Sequence, residues 1–236
     1  ESFVTYDVIK RNDGYIDPES IKGQMCVGGY DLSNTEDFTS ACLEFPLNDG
    51  RVFVLTHSWV PEVKVIADNE KLPFREWEAE GLLTICPGEY INKDDVYSWF
   101  VQKAKKYSIL MVTYDPANAF RLNLELANYG GEEWTKVVRQ GALTLSPALK
   151  DIKELLLDGK VVYNRNKLFR WYLNNIKLVE DRNGNWLPTK QVRYRKIDGF
   201  AAWLNAHTET MKLMPVVAGG ATGGVTFLSA KELKGG

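Results

Sequence analysis

The chain has 236 residues, of which 44% are apolar and 25% are charged. This length and composition are typical of one large or two small globular domains. No apolar run approaches the ~18 residues of a membrane span, and the N-terminus lacks the apolar core of a secretory signal. Three widely spaced cysteines and two histidines favour neither a disulfide framework nor a zinc site. Because the first residue is Glu, we expect a piece of a longer protein.

Charge is unevenly distributed along the chain, whose formal net charge is −2. Residues 1–159 carry 16 Lys and Arg against 26 Asp and Glu, whereas residues 160–196 carry ten against two. A cationic segment on an acidic body presents a local positive field that attracts a phosphate backbone. The alternative is a solvated basic face with no nucleic-acid role.

The first half of the chain predicts three consecutive antiparallel strands. Its strand-like apolar runs lie at 25–33, 38–47 and 51–60. Asn48, Asp49 and Gly50 supply a hairpin turn between the second and third runs. Residues 61–90 contain three prolines and are interpreted as an excursion with one short helix.

The second half predicts alternating strands and helices. The predicted helices are 94–107, 117–130, 146–159 and 197–210, the predicted strands are 108–116 and 133–140, and 168–181 is a helix running into a strand, with a turn at 183–188. For the helix 146–159, Ser146 is the expected N-cap, Pro147 the first position and Gly159 the stop. Alternating strands and helices imply parallel pairing through right-handed crossovers. The predicted fold is therefore α/β, with three antiparallel strands, then parallel strands, and helices on both faces.

Three aspartates lie at the ends of predicted elements. Asp31 ends the first strand, Asp115 follows the fourth, and Asp198 opens the last amphipathic helix. Neighbouring strands of an open α/β sheet deliver the residues at their ends to one crevice. Three carboxylates there would make a hard oxygen-ligand set suited to Mg²⁺ or Mn²⁺. Each also has a structural interpretation: an Asx turn before Ser33, a turn ahead of Pro116, and a helix N-cap.

Five stretches of the chain resemble the C-terminal nuclease domain of phage terminase large subunits. They are GYDLSNTEDFTS (29–40), HSWVPE (57–62), TYDPANA (113–119), VRQGALTLSPALKDIKELLLDGKV (138–161) and RYRKIDGFAAW (193–203). Their order and spacing, over most of residues 25–205, carry the resemblance. It implies an RNase H-like (retroviral integrase-like) fold. It also implies metal-dependent cleavage of double-stranded DNA during genome packaging in the cytoplasm of an infected bacterium.

The resemblance further implies an acidic triad of Asp31, Asp115 and Asp198 that holds two divalent cations, Mg²⁺ or Mn²⁺. A complete large terminase also has an ATPase motor, but the phosphate-loop pattern GxxxxGK[ST] is absent from this chain. We therefore expect an isolated nuclease domain, with a lead-in at 1–24, a core at about 25–210 and a Gly-rich tail at 211–236. The implied partners are double-stranded DNA, the ATPase domain of the same full-length protein, the small terminase subunit and the portal, with no membrane.

Four basic residues closely precede Asp198. They are Lys190, Arg193, Arg195 and Lys196. We interpret them as contacts to phosphates beside the scissile bond, which give affinity with little sequence preference. An exposed basic loop without a DNA role is the alternative. The two histidines, His57 and His207, are too far apart in sequence to predict a pair.

Other functions remain open on the sequence alone. Another RNase H-like nuclease of the resolvase or transposase type would use the same scaffold. A non-catalytic DNA- or portal-docking module would need no intact acidic set. An actin-like ATPase would need glycine-rich phosphate loops and a second repeat of the fold, for which the chain is too short.

Overall fold

The computed structural model describes residues 2–33, 38–190 and 195–214. The strands in these ranges are β1 (Met25–Asp31), β2 (Thr39–Pro46), β3 (Val52–Pro61), β4 (Leu83–Cys86), β5 (Ser108–Tyr114), β6 (Thr135–Val137), β7 (Val161–Val162), β8 (Ile176–Glu180) and β9 (Trp186–Lys190). The helices are α1 (Tyr6–Arg11), α2 (Glu62–Ile66), α3 (Phe74–Ala79), α4 (Lys93–Lys106), α5 (Phe120–Gly130), α6 (Ala142–Leu157), α7 (Lys167–Asn174) and α8 (Asp198–Leu213).

The main sheet is mixed and runs in the order β4-β3-β2-β1-β5-β6, with β7 also paired to β3. β1, β2 and β3 are consecutive antiparallel neighbours, and the predicted hairpin joins β2 to β3 by a turn in which Gly50 has a φ of +83°. β5 is parallel to β1, and β6 is parallel to β5. The predicted fold class is therefore confirmed, because local β1–β3 pairing is followed by parallel crossovers.

An apolar core lies on each face of this sheet. Val52, Val54 and Val60 of β3 join one core with α6, α7 and α8, whereas Phe53 and Trp59 join the other with α4 and α5. This alternation follows from the two-residue period of a strand. Since helices cover both faces, β2 is buried along its whole length.

The helix predicted at 146–159 begins four residues earlier, at Ala142, with Gly141 at its N-cap. The predictions for Ser146 and Pro147 are therefore wrong, and both residues lie inside the helix. The Ser146 hydroxyl instead accepts a hydrogen bond from the backbone N–H of Trp186 in β9, at 2.9 Å. The predicted stop is confirmed, because Gly159 follows the C-cap with a φ of +67°.

Three further segments differ from their predictions. The strand predicted at 133–140 is a 3-10 turn, Glu132–Trp134, followed by the three-residue β6. The excursion at 61–90 holds two short helices and β4 rather than one helix. The turn predicted at 183–188 is the end of a β8–β9 hairpin that forms its own two-stranded sheet. The helix running into a strand is confirmed by α7 and β8.

Residues 2–24, interpreted as a lead-in, pack onto the domain. Phe3, Val8 and Ile9 are buried in the core that contains α8. Residues 215–236 of the predicted Gly-rich tail lie outside the described residues. No helix in the described ranges is both long and apolar enough to cross a membrane.

The backbone of α8 lies directly against β1. A Cβ atom placed on Gly29 would be 2.3 Å from the carbonyl oxygen of Ala202 and 2.9 Å from the backbone nitrogen of Ala206. Backbone atoms cannot move aside as a flexible side chain can. Glycine at position 29 is therefore required for the helix to approach the strand this closely.

Gly29→Ala should lower the free energy of unfolding by about 3 kcal/mol, because α8 must move away from β1. Gly28→Ala is the matched control, since the nearest atoms to its Cβ would be in side chains, Phe100 at 3.1 Å and Val112 at 3.3 Å. We expect a loss of about 1 kcal/mol or less there. Urea unfolding measures both, and equal losses would contradict this view of the α8 contact.

Candidate active site

Asp31 is the last residue of β1 and faces the side of the sheet that α8 covers. It lies beside Ser40 of β2. The preceding residue, Tyr30, stacks on Tyr114 of β5 with ring centroids 5.6 Å apart and also contacts Phe100 of α4. Since successive side chains of a strand point to opposite faces, Asp31 points away from α4 and toward α8.

The first residue of α8, Asp198, lies at the same end of the sheet. In a later turn of α8, His207 binds Glu44 of β2. At the near end, Gly199 abuts Tyr172, whose hydroxyl lies 3.4 Å from the Ser40 hydroxyl. The helix therefore runs along β2 from Ser40 toward Glu44, so Asp198 starts at the end where Asp31 stands.

A buried hydroxyl cluster lies near these two aspartates. The Tyr172 hydroxyl is 2.8 Å from the Ser58 hydroxyl, which is 2.8 Å from that of Ser40. Burial raises the pKa of Tyr172, and the charges of Asp198 and Asp31 raise it further. Both carboxylates therefore lie close enough to Tyr172 to act on it electrostatically.

Asp115 reaches the same edge of the sheet from β5. Tyr30 and Tyr114 are the last register partners of the parallel β1–β5 pair, and Asp31 and Asp115 follow them directly in the chain. Asp115 Oδ1 accepts a hydrogen bond from the backbone N–H of Ala117 at 2.9 Å, as the turn interpretation of this residue expected. Within the described residues, no three His, Cys, Asp or Glu side chains are grouped so that they could hold a metal ion.

The four basic residues are placed differently from one another. Lys190 ends β9 and is partly exposed, Arg195 is partly exposed, and Arg193 lies outside the described residues. Lys196 is only 6% exposed, and its carbonyl accepts a hydrogen bond from Asn175 at 2.8 Å. With Lys64 of α2 it lines a cavity of about 380 Å³. Lys196 therefore does not belong to an open basic surface.

A second buried cluster holds a later turn of α8, and sequence analysis did not predict it. His207 Nδ1 lies 2.6 Å from Glu44 Oε1 of β2, and His207 Nε2 lies 2.5 Å from Asp151 Oδ2 of α6. Burial alone would lower the pKa of His207, but the attraction of Glu44 and the hydrogen bonds to both carboxylates outweigh it. The pKa rises to about 9, so the ring is an imidazolium at neutral pH and donates from both nitrogens.

The strand order and the helix that brings Asp198 to the end of β1 define an RNase H-like fold. The chain belongs to the family of terminase large subunit endonuclease domains, whose family model matches residues 5–213. The terminase large subunit of enterobacteria phage HK97 is 24% identical over 185 residues, which are 74% of this chain and 35% of that relative. The chain thus spans about a third of the length of this curated relative.

Solved structures agree on the fold. The crystal structure of the HK97 large terminase has a TM-score of 0.79 at 20% identity, covering 88% of this chain and 43% of that one. The large terminase nuclease from thermophilic phage G20c with bound magnesium has a TM-score of 0.50 at 12% identity, covering 78% of this chain and 81% of that one. These likenesses show the fold, and the family match shows that the chain is a terminase large subunit endonuclease domain.

Alkaline pH should weaken the domain through His207. A pKa raised from about 6.5 to about 9 means that the stabilisation is complete below pH 6.5 and is lost as the pH rises through 9. We expect the free energy of unfolding to fall by on the order of 3 kcal/mol across this window. Urea unfolding at a series of pH values measures it.

Two variants test the assignment of this slope. His207→Gln should remove it, because no imidazolium remains between the carboxylates. His57→Gln should keep it, since burial lowers the pKa of His57 to about 4 and this ring stays neutral throughout the window. A slope that survives in His207→Gln would contradict the assignment.

Proposed function

We propose that this domain is a divalent-metal-dependent endonuclease that cuts double-stranded DNA, the concatemeric viral genome, during packaging in the cytoplasm of the infected bacterium. The observation that carries the proposal is that Asp31 and Asp198 lie at one end of the sheet, Asp31 beside Ser40 and Asp198 beside Gly199, both of which contact Tyr172. Asp115 directly follows β5, the strand parallel to β1. Membership of the terminase endonuclease family supports it. So does the fold likeness to the nuclease from phage G20c, whose structure holds magnesium.

The donor atoms at this edge fit hard divalent cations. Asp31, Asp115 and Asp198 offer carboxylate oxygens, which suit Mg²⁺ or Mn²⁺ better than zinc. We assign these three residues to two such cations. When bound, the cations would supply Lewis acidity and neutralise charge at the scissile phosphate.

The chain itself supplies rigid placement. Asp31 lies on a central strand with neighbours on both sides, and Asp198 lies in the first turn of a helix held against that strand. The positive end of the α8 dipole favours a carboxylate at this position. A phosphate backbone approaching the same end would also meet this partial positive charge.

Basic residues on the approach to Asp198 would add affinity for DNA. We assign Lys190, Arg193, Arg195 and Lys196 to phosphate contacts, with Lys196 contributing from the wall of its cavity. Because the chain spans 43% of the HK97 large terminase, we further propose that its partners include the ATPase domain of the same full-length protein, the small terminase subunit and the portal.

A non-catalytic DNA- or portal-docking module is the second candidate. It is favoured by one observation, that no three ligating side chains are grouped in the described ranges. The two functions differ in whether DNA is cut. Plasmid digestion with Mg²⁺, Mn²⁺, Ca²⁺ or EDTA in parallel separates them, and the nuclease should cut with Mg²⁺ or Mn²⁺ only.

Asp31→Asn, Asp115→Asn and Asp198→Asn should each reduce cleavage by on the order of 10³-fold, because each removes a charged ligand while keeping the side-chain shape. Asp49→Asn, in the exposed turn before β3, is the control and should cut at the wild-type rate. Plasmid nicking and linearisation on gels measure the rates. Full activity in any of the three variants would remove that residue from the proposed site.

Replacing Lys190, Arg193, Arg195 and Lys196 together by Gln should weaken DNA binding and flatten its salt dependence by about one unit of slope for each phosphate that is no longer neutralised. The charge-matched control replaces four lysines within residues 1–159, where acidic residues are in excess. They are Lys10, Lys22, Lys71 and Lys105. Titrating labelled duplex at several salt concentrations measures the slopes. Equal slopes in the two variants would favour the exposed-loop interpretation.

A further inference from the structure

Tyr172 of α7 is tied to the sheet by its hydroxyl. It lies 2.8 Å from the Ser58 hydroxyl of β3 and 3.4 Å from that of Ser40 on β2, and the two serines are 2.8 Å apart. All three side chains are buried. Each hydroxyl can donate one hydrogen bond and accept others, so the triangle satisfies itself without water.

The ring of Tyr172 occupies the space that a side chain at Gly199 of α8 would fill. A Cβ atom on Gly199 would lie 2.5 Å from both Cδ2 and Cε2 of the ring. The first turn of α8 therefore rests directly on the tyrosine. The residue in that turn that immediately precedes the glycine is Asp198.

Each of the two contacts of Tyr172 is made to a residue next to one of the two aspartates. Its hydroxyl binds Ser40, which is the register partner of Asp31 across β1 and β2. Its ring supports Gly199, the neighbour of Asp198. A single side chain thus connects the strand that carries one carboxylate to the helix that carries the other.

We propose that Tyr172, supported by Ser40 and Ser58, is a positioning residue that sets the separation of Asp31 and Asp198 and thereby the affinity of the site for divalent cations. This inference rests on the proposed function, because it takes these aspartates as cation ligands. Groups that orient ligands from behind typically change metal affinity without themselves touching the metal. Tyr172 would act in this way on two ligands at once.

Tyr172→Phe keeps the ring against Gly199 and removes only the hydroxyl. We expect Mn²⁺ to bind this variant of the 236-residue chain about tenfold more weakly, as measured by the electron paramagnetic resonance signal of free Mn²⁺ without DNA. The Mn²⁺ concentration for half-maximal cleavage should rise similarly, while the rate at saturating Mn²⁺ stays near wild type. Ser58→Ala should weaken Mn²⁺ binding in the same direction, and it replaces Tyr172→Phe if that variant does not fold.

Tyr163→Phe is the matched control. Tyr163 is a buried tyrosine of the same core, and its hydroxyl accepts a hydrogen bond from Arg170 Nε at 3.3 Å. It should bind Mn²⁺ as the wild type does. The inference is overturned if Tyr172→Phe, or Ser58→Ala in its place, binds Mn²⁺ with wild-type affinity, or if Tyr163→Phe is weakened equally. If the wild type itself neither binds Mn²⁺ nor cuts DNA, the proposed function fails as well. If the wild type does both and only the expected weakening in the Tyr172 or Ser58 variant is missing, the inference alone fails.

Discussion

The contact between α8 and β1 is the constraint on which the rest of the domain depends. Since Gly29 has no side chain, the helix backbone around Ala202 and Ala206 lies against the central strand with nothing between them. This contact fixes the helix along β2. The first turn of α8 then brings Asp198 toward Asp31, and a later turn inserts His207 between Glu44 and Asp151. The proposed site and the buried ion cluster are thus positioned by two turns of the same helix.

The first three strands and β5 could be predicted from the sequence because their signals are local, whereas β4 and β7 were not predicted. Apolar runs and the turn at Gly50 mark β1, β2 and β3 without knowledge of distant residues. The start of α6 could not be predicted in this way. Ser146 followed by Pro147 is typical of a helix N-terminus. However, burial of Leu145 favours extension of the helix upstream, and the Ser146 hydroxyl binds a strand 40 residues further along the chain.

The candidate site likewise has some residues that the sequence predicts and some contacts that it does not. The three aspartates were predicted because each lies at the end of an element, a position that can be read from sequence. The contacts of Tyr172 could not be predicted, because its hydroxyl meets serines 132 and 114 residues away, through the register of two strands. The pairing of His207 with Glu44 spans 163 residues. The burial of Lys196 was also not predicted, since charge alone does not reveal whether a lysine lines a cavity or lies on the open surface.

The outer edge of β3 is covered at both ends rather than along its length. β7 pairs with Val52 and Phe53, and β4 pairs with Ser58 to Pro61. An intruding strand from another molecule would find only the short stretch 54–57 between them, where the Thr56 hydroxyl already accepts a hydrogen bond from the Asn166 side chain. Long unprotected edges are templates for aggregation. In the described residues, two short parallel strands therefore leave only a small part of this β3 edge for another strand to pair with.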